Sequence, residues 1–231
     1  MTTHIVTKDK GGKIKPIGME SAEPQCQMAE DQLKGFAAGA DSLNGPFFAD
    51  LLSAFLAHEQ AGFHLYQVIA KRTQNPMLAR HYREFGKETE DHIRILAGLI
   101  THLGGDPMYV SPAARMTEMV GSKLLEIGLL AGSADIMTLE LTMLEAVILA
   151  ETKDHANWSF LSMLAQDLPD SEATRAIQAA VAQVEPQEDN HLSWAKDTWN
   201  QLAKAQTQSR AAQKIAESAE KAVGKVKDLF Q

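Results

Sequence analysis

Residues 46–72 read PFFADLLSAFLAHEQAGFHLYQVIAKR, and the fold follows from how their side chains are spaced. Phe48, Leu52, Phe55, Glu59, Gly62, Tyr66 and Ile69 recur at alternating steps of four and three, the seam of a helix in a bundle. Pro46 suits the first turn of that helix, where its missing N–H leaves no bond unmade. Asn75-Pro76 then stops the helix and offers a fresh N-cap and first position. A second seam runs Leu78, Tyr82, Phe85, Thr89, His92, Leu96, Leu99 and Leu103, and Gly104-Gly105 with Pro107 beyond ends it. With so short a turn, the two helices fold back on each other as a hairpin.

Beyond a loop at Asp106–Pro112, residues Arg115–Leu130 form a shorter helical stretch of the length a crossover between two hairpins needs. Ser133 or Asp135 can cap a third long helix, with seam Leu144, Ile148, Glu151, His155, Trp158, Ser162 and Ala165. Pro169 lies in the next turn. The fourth long helix starts at Ser171 and carries Ile177, Val181, Val184, Glu188, His191, Ala195 and Leu202, with Pro186 predicted to bend the backbone beside Glu188. The expected architecture is all-α: an antiparallel four-helix bundle over residues 45–206 with a crossover helix. Residues 1–44 read as a flexible arm, with Lys8, Lys10, Lys13 and Lys15 in a Gly-containing stretch and a short amphipathic piece near Met28 to Phe36. Residues 207–231 read as an extra C-terminal amphipathic helix, its stripe Ile215, Ala219, Ala222, Val226 and Leu229 set among lysines.

Composition narrows the function. The 231 residues hold 22 Lys plus Arg against 30 Asp plus Glu, a net charge of -8 that argues against a nucleic-acid partner. Cys26 is alone, which excludes an intrachain disulfide, a zinc ribbon and a rubredoxin-type iron site. No apolar run is long enough to span a bilayer, and the N-terminus lacks an apolar h-region. The expectation is a soluble, cytoplasmic protein.

The informative residues are polar ones in apolar places. Glu59, His92, Glu151, His155, Glu188 and His191 occupy seam positions, where an unpartnered carboxylate costs several kcal/mol. They also share a level. The midpoint between Glu59 and His92 is the Asn75-Pro76 turn, and the midpoint between Glu151 and Glu188 is Pro169-Asp170. His191, three residues after Glu188, stays on the same face. Carboxylates and imidazoles converging inside a bundle suit iron or manganese, with zinc an alternative. The bland reading is a buried network of Glu paired with His⁺. His58, His64 and His81 read as surface residues, and the methionines as core filling.

On these residues the chain resembles the ferritin-like superfamily, in particular its rubrerythrin- and bacterioferritin-related branches, over about residues 46–205. In that family the first and third helices each give a Glu with an aromatic residue seven positions later; here these are Glu59 with Tyr66, and Glu151 with Trp158. The second and fourth helices each give Glu-x-x-His. Glu188 to His191 fits, whereas His92 is preceded by Thr89 where the family has Glu. Glu88, on a neighbouring line of the same face, is the candidate to reach in as a substitute. The departure leaves open a remodelled dinuclear centre, a mononuclear one or a vestige. The resemblance implies Glu59 and Glu151 as terminal ligands, Glu188 as a bridge, and His92 and His191 as one imidazole for each of two iron ions. Tyr66 would have a catalytic role, by hydrogen bonding or electron supply. His155 has no counterpart in the family pattern; an extra ligand, a partner of Glu151, or an inward His paired with a carboxylate are its readings. The implied activity is a ferroxidase or peroxidase-type oxidoreductase, a non-haem iron enzyme acting with O₂ or peroxide and Fe²⁺. The alternative is an inert bundle for binding or assembly, meeting a protein partner or a second copy through its C-terminal helix.

Overall fold

A computed structural model describes residues 8–9, 12–13, 36, 43–130 and 135–208. Within these, five α-helices account for nearly all of the structure: α1 (Gly45–Arg72), α2 (Pro76–His102), α3 (Pro112–Leu130), α4 (Ile136–Asp167) and α5 (Glu172–Thr207). A two-residue ribbon in the expected arm, β1 (Lys8–Asp9) with β2 (Gly12–Lys13), pairs Lys8 with Lys13. The amphipathic piece before Phe36 and the stripe at 215–229 lie outside the described residues. No helix among the described residues is long and apolar enough to cross a membrane.

The helix ends obey their capping chemistry. The Asn44 side chain accepts from Phe47 N ahead of α1, and Asn75 accepts from Met77 N at 2.9 Å ahead of α2. Asp135 accepts from Met137 N and Thr138 N, both at 3.0 Å, and Ser171 accepts from Thr174 N at 3.0 Å. Gly104 ends the second helix region with a φ of 82°, a left-handed conformation that glycine adopts without strain. Helix α3 begins at Pro112, earlier than the expected Arg115, because the fully buried Ser111 accepts from Ala114 N at 3.0 Å and donates to Asp50 O at 2.9 Å. The cap thereby fastens α3 to α1.

Helices α1 and α2 form one hairpin, and α4 and α5 another. The hairpins meet through α1 on α4 and α2 on α5, while α3 lies along α1 and also touches α4. Glu140 of α4 braces the first turn, accepting from Thr73 Oγ1 at 2.7 Å and Gln74 N at 2.9 Å. The apolar interior is split in two. One cluster holds Leu52, Phe55, Leu96, Leu99, Trp158 and Val184; the other holds Leu65, Ile69, Tyr82, Phe85, Met143 and Val147. On all four long helices the change of cluster falls at the polar seam residues. Phe36, assigned by sequence to the arm, is itself buried against Phe48, with ring centroids 6.2 Å apart.

The α1 and α2 seams are buried as expected, but the α4 seam is half mis-phased. Leu144, Glu151, Trp158 and Ala165 point inward, whereas the intervening inward positions are Val147, Asp154 and Leu161, not Ile148, His155 and Ser162. The step order is three then four. Helix α4 has neighbours on several sides, so its buried arc is wide, and the two orders of steps offer like residues (Val147 or Ile148, Asp154 or His155) until Leu161 is compared with Ser162.

The α1–α3 contact is close: a Cβ placed on Gly121 would stand 2.5 Å from Ala61 Cβ, while one on Gly98 would meet nothing within 4 Å. Gly121→Ala is expected to destabilise by about 1–3 kcal/mol through overpacking. Gly98→Ala is expected to stabilise by about 0.5–1 kcal/mol through helix propensity. Chemical denaturation of the two variants checks both signs.

Candidate metal centre

Four helices each send polar groups into the layer between the apolar clusters. Glu59, His92, Glu151, Glu188 and His191 are all at most 3% exposed. Their ligand-type atoms form two overlapping triads, Glu59–His92–Glu188 and Glu151–Glu188–His191, each with atoms within 4.8 Å of one another. Glu188 belongs to both. Its Oε1 lies 2.7 Å from His92 Nδ1 and 3.9 Å from His191 Nδ1. On the far sides, Glu59 Oε2 is 3.7 Å from His92 Nδ1, and Glu151 Oε2 is 3.4 Å from His191 Nδ1.

A second ring of groups holds these side chains, and it is reciprocal. Trp158 Nε1 of α4 donates to Glu59 Oε1 of α1 at 2.7 Å, and Tyr66 OH of α1 donates to Glu151 Oε1 of α4 at 2.7 Å. Each aromatic residue thus serves the other helix's carboxylate, seven positions before its own counterpart. The imidazoles are cross-braced in the same way. His92 Nε2 of α2 bonds Gln187 Oε1 of α5 at 2.7 Å, and His191 Nε2 of α5 bonds Glu88 Oε2 of α2 at 2.6 Å. Gln187 and Glu88 each sit one turn before the His of their own helix. With both Nε2 atoms donating outward, the Nδ1 atoms are the ones that face the layer.

Three sequence expectations need correction. Glu88 does not replace the missing ligand; it lies outside both triads and holds the back of His191, at the half-exposed edge of the layer. His155 belongs to neither triad; it turns aside, partly exposed, with Nδ1 2.9 Å from Asp189 Oδ1. The α4 phase error accounts for that: the inward residue is its neighbour Asp154. His58 is buried rather than superficial, its Nε2 2.9 Å from Ala150 O, and burial lowers its pKa. His64 is exposed as expected. At the departure point, Thr89 is buried and its hydroxyl donates to Phe85 O at 2.9 Å, so its only proton is spent on its own helix and it brings no carboxylate to the layer.

Sequence reading also missed Asp154 and Gln187. Asp154 is 4% exposed, and burial, then the charges of Glu59 and Glu151, push its carboxyl well above the usual range. A signal was present, since Asp154 stands three residues after Glu151, the spacing of His191 after Glu188. Gln187 carried no signal of its own, because an amide beside an acid on a helix is ordinary surface chemistry.

Electrostatics makes the layer demanding. Burial, reinforced by Asp154, Glu151 and Glu59, pushes the Glu188 carboxyl well above its usual range. Burial also opposes charge on Glu151 and His191. Their mutual attraction wins, holding Glu151 below and His191 above its ordinary value, with Tyr66 and Glu88 assisting. The Tyr66 phenol, raised well above its usual value by burial and then by Glu151, stays a donor. Glu59 Oε2, His92 Nδ1, Glu151 Oε2, both Glu188 oxygens and His191 Nδ1 are buried and turned toward one another, and the imidazole–carboxylate contacts given above are what they meet. Three carboxylates against two imidazoles leave the layer with an excess of acid. All are oxygen or imidazole donors, and a divalent first-row cation fits them. No protein-family model, no curated protein and no solved structure matches the chain, so the site stands on its geometry.

Because folding raises the Glu188 pKa, that group's contribution to stability is complete at acid pH and is lost as pH rises through the raised value. Metal-free Glu188→Gln is therefore expected to melt above the metal-free parent at neutral pH, by roughly 2–4 °C per kcal/mol gained. The gap should close toward acid pH. Melts followed by circular dichroism in chelator, over a pH series, check this.

Proposed function

We propose that the chain is a ferritin-like protein whose helices α1, α2, α4 and α5 form a four-helix bundle, joined by α3 as the crossover. Its polar layer is a dinuclear metal centre, iron in the first place, with manganese or zinc as alternatives. The observation that carries this is Glu188, shared by two buried triads of carboxylate and imidazole atoms. Glu59 and His92 would hold one ion, Glu151 and His191 the other, with Glu188 between them. The activity that follows is an oxidoreductase of the ferroxidase or peroxidase type, using O₂ or peroxide, in the cytoplasm to which the lone Cys26 is suited.

The chemistry an iron pair supplies when bound is electron transfer to O₂ or peroxide. The protein's own residues do the rest. Trp158 and Tyr66 fix the planes of the Glu59 and Glu151 carboxylates through their hydrogen bonds. Gln187 and Glu88 hold the two imidazoles with Nδ1 inward. The apolar clusters above and below exclude water, which sharpens every charge in the layer. Asp154, its carboxyl pushed well above the usual range by burial and then by Glu59 and Glu151, adds a weakened acid beside the centre.

A second reading has one observation in its favour. Thr89 spends its proton on its own helix, so the two triads hold three carboxylates where the family pattern would bring four. This favours a single ion on the Glu151–Glu188–His191 side, or an inert bundle that serves assembly through its termini.

Anaerobic titration of the apoprotein with Fe(II) separates these readings. Two ions per chain, with proton release on uptake and a near-ultraviolet band on admitting O₂, are expected, and all three should vanish in Glu188→Ala. One ion per chain supports the mononuclear reading. No tight metal, with partner capture that depends on residues 211–230, supports the assembly reading.

A further inference from the structure

A groove opens on the outer side of the first hairpin, between the C-terminal half of α1 and the N-terminal half of α2. It encloses about 390 Å³, within the range of small-molecule sites. Its walls are apolar and aromatic: Phe63, Tyr66 and Ala70 from α1, Tyr82 and Gly86 from α2. Gly86 matters to its shape. A Cβ there would stand 3.2 Å from Tyr66 Cβ, so glycine lets the Tyr66 side chain root against the α2 backbone and keeps the floor deep.

The rim is basic. Lys71, Arg83 and Lys87 line the groove against a single acid, Glu90, and none of the three cations is ion-paired among the described residues. In a chain of net charge -8, three unpaired cations around one apolar floor form a local reversal of sign. Arg83 and Lys87 stand one turn apart on α2, and Lys71 lines the same opening from α1, so both walls of the groove carry positive charge. Tyr66 forms part of the floor, and its hydroxyl donates to Glu151 at 2.7 Å. A single ring therefore separates the groove from the polar layer.

We propose that this groove binds a small organic anion, with a flat apolar body against Phe63, Tyr66 and Tyr82 and a carboxylate, sulfonate or phosphate head at the basic rim that Lys71, Arg83 and Lys87 form. Seen with the oxidoreductase reading, on which this part rests, the groove defines the chemical class of the organic partner. The binding itself stands without the metal.

The test titrates the full-length, metal-free chain with 8-anilinonaphthalene-1-sulfonate and, in parallel, with uncharged N-phenyl-1-naphthylamine, following fluorescence. One saturable site per chain is expected for the sulfonate, weakened about tenfold (about 1.4 kcal/mol) by the double reversal R83E/K87E. The neutral probe should bind weakly and ignore that reversal. Ala70→Trp, which fills the groove from a half-buried position, should block both probes while the melting curve stays near that of the parent. Sulfonate binding that is absent, or indifferent to both R83E/K87E and Ala70→Trp, overturns the proposal. Repeating the titration on Co(II)-loaded protein separates the two readings. Sulfonate binding without cobalt uptake sinks the metal centre and leaves the groove. Cobalt uptake without sulfonate binding does the reverse.

Discussion

Five ionisable side chains meet in a layer sealed above and below by hydrocarbon, and the rest of the molecule is organised around making that tolerable. Bringing one carboxylate out of water carries an effective penalty of several kcal/mol, and here three come together. Whole-domain stability is only about 5–15 kcal/mol. The chain meets this constraint with hydrogen bonds directed at the outer atoms of four of the five: indole and phenol to two carboxylates, amide and carboxylate to two imidazoles. Only the inward atoms are left, and these are the ones a cation would take.

The supporting parts of the fold serve the same end. Glu140 ties α4 to the α1–α2 turn and so fixes one hairpin against the other at that end, while the Ser111 cap ties α3 to α1. Trp158 belongs to one apolar cluster and Tyr66 to the other, yet each reaches a carboxylate in the layer between. These residues couple packing to site geometry. Loosening either cluster would turn a carboxylate plane as well as remove buried area.

Much of this was legible in the residues themselves. The two short turns, the caps at Asn75 and Ser171, and the common level of Glu59, His92, Glu151 and Glu188 follow from Pro, Asn and seam spacing alone. What stayed hidden depends on which helix face meets which neighbour. Helix α4 is apolar through a wide arc, so its phase was ambiguous by one residue, and Asp154 was traded for His155. Glu88 was misread for a related reason. Angle on a helix shows that a side chain can reach a layer, but not that an imidazole from another helix will intercept it. Burial of His58 rests on a carbonyl of α4, a partner that no local pattern in α1 discloses.

The bracing of the two imidazoles is alike in position and unlike in charge. His92 leans on an amide, Gln187, while His191 leans on an anion, Glu88. A carboxylate behind an imidazole makes its free nitrogen the more basic of the two. The two halves of the layer are thus unequal: the side of His191 has an anion behind its imidazole and the side of His92 a neutral amide. A single conservative difference, acid against amide one turn before each histidine, is enough to give a nearly twofold chamber a direction.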